Sequence, residues 1–358
     1  MKWHDRRLLD LFGIDHPILQ APMAGASSPQ MAIAASEVGG LGSIAAAMLT
    51  PETLRSELQL VQQATGRPIN VNFFVHKAPI MDAGRESRWR ERLSPYYRKF
   101  GLSSDAGTGG PVRAPFDGAL CEVVLEYKPK VVSFHFGMPD AALVEKLRKA
   151  KIVVISSATS VEEARWLEQQ GCDAVIAQGV EAGGHRGMFL NDDIARQAGT
   201  MALVPQVVDA VRVPVIAAGG IGDGRGIAAA LALGAAGVQI GTAFLLTPEA
   251  RTAPLHRVAL KQANDNSTTL TNIFTGRPAR SIVNRYIGEV GPMSPDAPAF
   301  PLAAGASHPL RAASEPKGSS EFMPLWSGQA PTFAREMPTA ALMARLVEET
   351  AAVLGRFA

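Results

Sequence analysis

Eight short apolar runs recur along the chain, each followed by a stretch of helical character. The runs are HPILQAPM (16–23), GGLGSIAAA (39–47), RPINVNFFV (67–75), KVVSFHFG (130–137), KIVVISSA (151–158), CDAVIAQG (172–179), VPVIAAGG (213–220) and GAAGVQIGTAF (234–244). They are nearly continuous in Val, Ile and Ala, as strands buried on both faces of a parallel sheet are. The segments between them carry helix punctuation. A helical stretch covers about 29–37. SVEEARWLEQQG (160–171) offers Ser160 as N-cap, Glu162 and Glu163 in the first turn and Gly171 at the C-terminal end. GDGRGIAAALALGA (222–235) is a further helix pattern. Eight such units predict an α/β protein with a (β/α)8 (TIM) barrel, for which 358 residues is a normal length once insertions are counted.

Two regions break the rhythm. Residues 76–120 separate the third and fourth strands; they are basic at first (RESRWRERLSPYYRKF, 85–100) and then glycine-rich (DAGTGGPVRAP, 105–115). An inserted helix and a mobile loop are expected there. Residues 245–338 follow the eighth strand and read as a cap over one barrel end that carries the substrate site. Within them, SPDAPAFPLAAGASHP (294–309) holds prolines at 295, 298, 301 and 309 and is expected not to form regular helix. Residues 339–358 read as an amphipathic helix packing back on the barrel, so that 1–244, 245–338 and 339–358 are the expected divisions.

Several function classes are disfavoured. A net charge of +2 with no Lys/Arg-rich block does not suit nucleic acid. Cys121 and Cys172 form no CxxC pair, which excludes a disulfide framework and argues against zinc; both suit small buried apolar positions. No HxxxH, HxH or carboxylate cluster suggests a metal. The N-terminal MKWHDRRLLDLFGI has no signal-peptide core, and no apolar run approaches the roughly 18 residues of a membrane span. A cytoplasmic location without membrane contact is expected.

Barrel enzymes place their sites at the C-terminal strand ends and often hold phosphate after strands seven and eight. Glycines stand there in AAGGIGDGRG (217–226) and VQIGTAF (238–244). Gly219 and Gly220 allow close backbone approach to an anion, the helix starting near 222–225 is expected to aim N–H groups at it, and Gly241 with Thr242 completes the cradle. Close helix–sheet packing is the alternative reading of these glycines. Amides stand at four other strand ends: Gln20, Asn72, Gln178 and Gln239. Amides both donate and accept, which suits the pyrimidine edge of a flavin, and phosphate with an amide ring points to FMN. Met23, in QAPMAG (20–25), can lie along a flat ring or serve as a core methionine.

VEAGGHRGMF (180–189) sets His185 against Gly183 and Gly184 in the loop leaving the sixth strand. Near FMN such a histidine can take a proton from carbon, donate to an oxyanion or stabilise charge on the reduced ring. The alternative is a histidine that caps the loop. Glu181 and Arg186 are expected to pair locally or face solvent. His135, in SFHFG, is a second substrate-site candidate, with Phe134 and Phe136 expected on the opposite side; a satisfied core histidine is the competing reading. Arg277 and Arg280, in TGRPARSIVN (275–284), can meet an anionic substrate or a neighbouring carboxylate.

PILQAPMAG, VNFFV, AQGVEAGGHRG, AAGGIGDGRGIAAALALGAAGVQIGTAF and LWSGQA together resemble the nitronate monooxygenases, formerly 2-nitropropane dioxygenases. SFHFG, TGRPAR and LWSGQ resemble the class I bacterial type in particular. The resemblance runs from about residue 7 to about residue 350. It implies oxidation of alkyl nitronates such as propionate 3-nitronate by O2 to a carbonyl compound and nitrite, without NAD(P)H. It implies FMN contacts from Met23, Asn72, Gln178, Gly183, Gly220, Gln239, Ile240, Gly241 and Thr242, and His185 as the catalytic residue. An FMN-dependent enoyl-ACP reductase, which shares the AGGH-type loop, and a non-catalytic phosphate-binding barrel are the alternatives. Lys317 and His308, in the poorly matched stretch 294–322, carry no assigned role.

Overall fold

Every one of the eight apolar runs forms a strand in the computed structural model, which describes residues 3–103 and 114–356. In chain order the strands are β1 (Ile18–Gln20), β2 (Gly42–Ala45), β3 (Ile69–Phe74), β4 (Val131–His135), β5 (Val153–Ala158), β6 (Ala174–Gln178), β7 (Gly184–His185), β8 (Val215–Ala218), β9 (Gly237–Ile240), β10 (Thr268–Thr271) and β11 (Ala279–Ile282). The order β1-β9-β8-β6-β5-β4-β3-β2 makes one eight-stranded sheet whose paired strands are all parallel. A parallel bridge between Leu19 and Leu41 closes it beside β2, giving a (β/α)8 barrel.

Strand side chains alternate between two faces. Val215 and Ala217 of β8, Val175 and Ala177 of β6, and Val238 and Ile240 of β9 pack outward against the helices. Ile216, Ala218, Ala174 and Ile176 point inward, where they meet Leu8, Leu9 and Phe12 of the Arg7–Phe12 helix. That helix fills one end of the barrel. The C-terminal strand ends are left for a site.

Helix boundaries follow local chemistry. Ser160 accepts from Glu163 N at 3.1 Å, and Gly171 takes the left-handed φ of 87° beyond the last turn of Val161–Gln169. The insertion forms a helix over Ala83–Phe100, capped by Asp82 and ended by left-handed Gly101. Much of the loop expected over 105–115 lies outside the described residues.

One expectation fails. Residues Ala303–Ser314 are helical although Pro309 lies within them. Packing overrides propensity: Ala303, Ala306 and Leu310 share an apolar cluster with Trp89, Leu93 and Tyr97 of the inserted helix. Tyr97 Oη also donates to Ala306 O at 2.6 Å. The insertion and the cap are therefore packed together.

The final helix, Thr339–Leu354, packs Leu342, Met343 and Leu346 into the outer core. Its backbone comes so close to Gly224 that a Cβ there would stand 2.4 Å from Thr350 N. Gly224→Ala is expected to cost about 1–3 kcal/mol through overpacking. A thermal unfolding midpoint equal to that of the unaltered protein would show that this contact yields freely.

Candidate active site

A cavity of about 470 Å³ opens at the C-terminal ends of β1, β3, β4, β5, β6, β8 and β9. Met23, Asn72, Gln178, Gly183, His185, Gly220, Gln239, Gly241, Thr242 and His135 all line it. Ile240 does not; its side chain packs outward and its carbonyl accepts from Ala21 N at 2.8 Å.

The glycine turns after the adjacent strands β8 and β9 both line this cavity. Gly219 and Gly220 have φ of 116° and 71°, which L side chains rarely adopt. A Cβ on Gly219 would lie 2.8 Å from Thr200 Oγ1. Among the described residues, the amides of Gly220, Ile221 and Gly241 donate to no group of the chain. The helix Gly224–Ala232 does not supply the N–H groups expected of it. Asp223 accepts from Arg225 N and Gly226 N, and Glu349 Oε2 accepts from Gly224 N at 3.1 Å. The N–H groups without a partner therefore lie in the turns and not at the helix end. Thr242 Oγ1 accepts from Gly328 N at 2.9 Å, and Gly183 leaves no room for a Cβ, which would lie 2.5 Å from the same nitrogen.

Three of the four strand-end amides reach the cavity. Gln20 shares its strand face with Ile18, so it points away from the axis and is fully buried. There it donates to Ser27 Oγ and accepts from Ser43 N. Asn72 Nδ2 donates to Ser133 O and Oγ. Gln178 donates to His185 O at 3.1 Å and accepts from Gly187 N at 2.7 Å. Gln239 Oε1 is buried on the cavity wall with no partner. A buried carbonyl oxygen of this kind suits a ligand N–H donor.

His185 lies in a strand, not a free loop. β7 pairs antiparallel with β11, Ala279 opposite His185, and β11 pairs with β10. Its ring Nε2 is 2.9 Å from Thr275 Oγ1. Phe300 and Trp326 stand 5.3 and 5.4 Å from the ring, with Phe74 and Phe136 at 6.0 and 6.1 Å. Phe134 keeps the outward direction expected of it, but Phe136 does not: at φ 76° it turns into the aromatic cluster around the cavity.

His135 is held on both nitrogens, Nδ1 by Ser157 Oγ at 2.9 Å and Nε2 by His185 O at 3.1 Å. The carbonyl can only accept, so Nε2 carries the proton. Burial pushes its pKa down to about 3. It is a neutral support for the β7 backbone.

Of the flanking charges, Arg186 is buried and Glu181 half-buried. Arg186 is fully buried and donates to Gln197 Oε1 and Gln178 O, while Glu181 accepts from Thr200 N and Oγ1. No ion pair joins them among the described residues. One side-chain amide oxygen and one strand-end carbonyl take two of its nitrogens where a carboxylate was expected, and Nη1 is buried with no partner among the described residues. Arg277 meets no carboxylate; it donates to Met188 O and lies 4.0 Å from the Phe136 ring centroid. Arg280 donates to Val180 O at 3.0 Å. Burial lowers Arg186 to about 9 and Arg277 to about 10, so both stay cationic at neutral pH.

Sequence reasoning missed Thr275 and the aromatic wall, because these residues lie far from His185 in the chain. It also missed His256, whose buried Nε2 has no partner, and Arg251; both line the cavity with the unassigned His308. Lys317 lies elsewhere, over the Phe100 ring. Among the described residues no group of His, Cys, Asp and Glu could hold a metal, and no helix is long and apolar enough to cross a membrane.

Burial pushes His256 down to about 4, as it pushes His135 to about 3. Both rings are neutral above the ordinary histidine pKa in folded and unfolded chains alike. Below it the unfolded chain binds protons that the fold refuses until pH about 3–4. Stability is therefore expected to fall with acidification from pH about 6.5, by about 1.4 kcal/mol per pH unit for each ring. Unfolding midpoints followed from pH 7 to 5 check this, and His135→Gln should lessen the slope by one proton.

A sequence model described as nitronate monooxygenase matches residues 5–349. The chain is 42% identical to a nitronate monooxygenase of Paraburkholderia phytofirmans over 347 residues, covering 96% of this chain and 94% of that one. It is also 42% identical to a nitronate monooxygenase of Pseudomonas aeruginosa over 351 residues, covering 96% and 98%. The solved structure of a nitroalkane oxidase from Streptomyces ansochromogenes superimposes with a TM-score of 0.89 at 41% identity, covering 98% of this chain and 100% of the other. With the barrel, the glycine turns and the strand-borne histidine in place, the chain belongs to the nitronate monooxygenase family of oxidoreductases.

Proposed function

We propose that the chain binds FMN and oxidises alkyl nitronates with O2 to a carbonyl compound and nitrite, without NAD(P)H. The observation that carries this reading is the position of His185. It is held on a short strand at the barrel mouth, in the same cavity as the two glycine turns and among aromatic rings.

The residues fit the cofactor. Open amides of Gly220, Ile221 and Gly241 suit a phosphate, and the left-handed glycines leave room for its approach. The unpartnered Gln239 Oε1 suits a ring N–H, with Asn72, Gln178 and Met23 on the same walls. Bound FMN supplies a ring that accepts electrons from carbon and passes them to O2.

The chain's own groups do the rest. An alkyl nitronate is already an anion, so it needs binding and polarisation before it needs a base. The His185 ring presents a polar edge to the nitro group within an otherwise apolar wall. Arg186, Arg277 and Arg280 lie in the same β7–β11 region as cations, hydrogen-bonded to carbonyl and amide oxygens. Phe74, Phe136, Phe300 and Trp326 exclude water, which strengthens each of these interactions. With a neutral nitroalkane the same imidazole can take the proton from carbon.

Oxygen uptake and nitrite release by purified yellow protein, given an alkyl nitronate and no nicotinamide, test this reading. Brisk NAD(P)H oxidation with no nitronate turnover would assign a reductase instead. His185→Asn is expected to retain FMN and to lose at least about a hundredfold in turnover, within the range for a positioned acid–base group; full turnover would make the residue structural. Gly220→Val is expected to lower the flavin-to-protein absorbance ratio, because a β-branched residue resists φ 71° and its Cβ would stand 3.4 Å from Glu181 Cβ. Unchanged flavin content would remove Gly220 from the cradle.

A further inference from the structure

The segment that carries His185 ends in a peptide bond gripped by two opposite charges. Met188 O accepts from the Arg277 guanidinium, and Phe189 N donates to Glu163 Oε1 at 2.5 Å. These are the two polar groups of one peptide unit. Leu190 N donates to the same carboxylate oxygen at 3.1 Å, while Oε2 accepts from Thr159 N and Oγ1 at 2.7 and 2.8 Å. A capping-box glutamate accepts from the backbone of its own N-cap residue. Glu163, 1% exposed, instead reaches past its helix to the chain beyond β7. On the other side, the Arg277 guanidinium lies 4.0 Å from the Phe136 ring centroid. Arg186 joins the same network through side chains: its Nε donates to Gln197 Oε1, and Gln197 Nε2 donates to Thr159 Oγ1 at 2.9 Å. The Glu163 charge offsets part of the desolvation of both arginines. Neither Glu163 nor Arg277 lines the cavity, so either can reach the site only through the segment it holds.

We propose that Glu163 and Arg277 are positioning residues, whose opposite charges clamp the Met188–Phe189 peptide and so fix the segment that presents His185. The proposal deepens the nitronate-oxidation reading and rests on it for its kinetic part alone. Hydrogen bonds to charged groups are the strong ones, and here one anion and one cation hold the two ends of a single amide dipole. Nearer the histidine, Gln178 and His135 bond to His185 O, and Gln178 also takes Gly187 N. The clamp therefore completes the hold on a short stretch whose other end is already tied to the barrel. Small misplacements of a reacting group slow turnover steeply.

The experiment combines amide hydrogen exchange of FMN-loaded enzyme, read by mass spectrometry, with steady-state kinetics on ethyl nitronate. Glu163→Gln and Arg277→Met are each expected to speed exchange in peptides covering 184–190 by at least about tenfold, the scale of one hydrogen bond to a charged group. Peptides over the glycine turns after β8 and β9 should exchange as before. Each variant should also lose about tenfold in kcat, with KM and flavin content near those of the unaltered enzyme. The double variant, Glu163→Gln with Arg277→Met, is expected to lose less than the two single losses multiplied, because each single change leaves the other charge buried and less opposed. Unchanged exchange over 184–190 in Arg277→Met would overturn the clamp even if Glu163→Gln did not fold. Faster exchange there with kcat intact would overturn the positioning role. Losses that multiply in full would overturn the joint action of the two charges. Absence of nitronate turnover in the unaltered enzyme would count against the oxidation reading alone, and exchange over 184–190 would then decide the clamp by itself.

Discussion

Side chains of a strand alternate between two faces, and in a closed barrel only one of those faces reaches the axis. That alternation decides which residues of this chain can meet a ligand. Ile176 and Gln178 lie on the inner face of β6, so Gln178 stands at the mouth directly above a filled interior. Gln239 reaches the mouth in the same way, between Val238 and Ile240, which pack against helices. Gln20 falls on the other face and is spent on its neighbours. A slip of one residue in any strand would exchange these sets and bury the polar groups against helices, so packing the outer core and arming the mouth impose the same register.

The cap is joined to that barrel through β7. Because Gly184 and His185 pair with β11, the catalytic candidate is shared between the barrel and the chain that follows it. The junction is polar inside. Glu163, almost wholly buried, accepts from Thr159 N and Oγ1, Phe189 N and Leu190 N, which holds the far end of the segment that carries His185. Arg186, Arg277 and Arg280 use carbonyl and amide oxygens. Burying cations is costly, and the nearby carboxylates of Glu163 and Glu181 offset part of that cost although neither forms an ion pair with them among the described residues.

Strand positions, the helices at 160–171 and 339–357, the glycine turns and His185 are legible in the sequence because they rest on local periodicity and on residue types with few alternative uses. The errors share a cause. Gln20 stands at a strand end like the other amides, but its place two residues after Ile18 puts it on the outer face. Asp223 is an N-cap by residue type, and reading it so would have shown that its helix has no free N–H groups for an anion. Pro309 was given the weight of a helix breaker, yet an apolar face shared with Trp89 and Tyr97 outweighs it. Thr275 could not be found, since nothing in TGRPAR marks a threonine for a histidine so far away in the chain.

The aromatic wall carries this point furthest. Phe300 comes from the proline-rich 294–309 stretch and stands 5.3 Å from His185. The helix that follows it is held in place by Trp89, Leu93 and Tyr97 of the insertion. The helix Ala83–Phe100, between β3 and β4, thus braces the segment that carries Phe300. The barrel strands carry the glycine turns and the amides that line the cavity. The packing between Ala83–Phe100 and Ala303–Ser314 thus helps set where Phe300 stands relative to His185, whereas the glycine turns rest on β8 and β9.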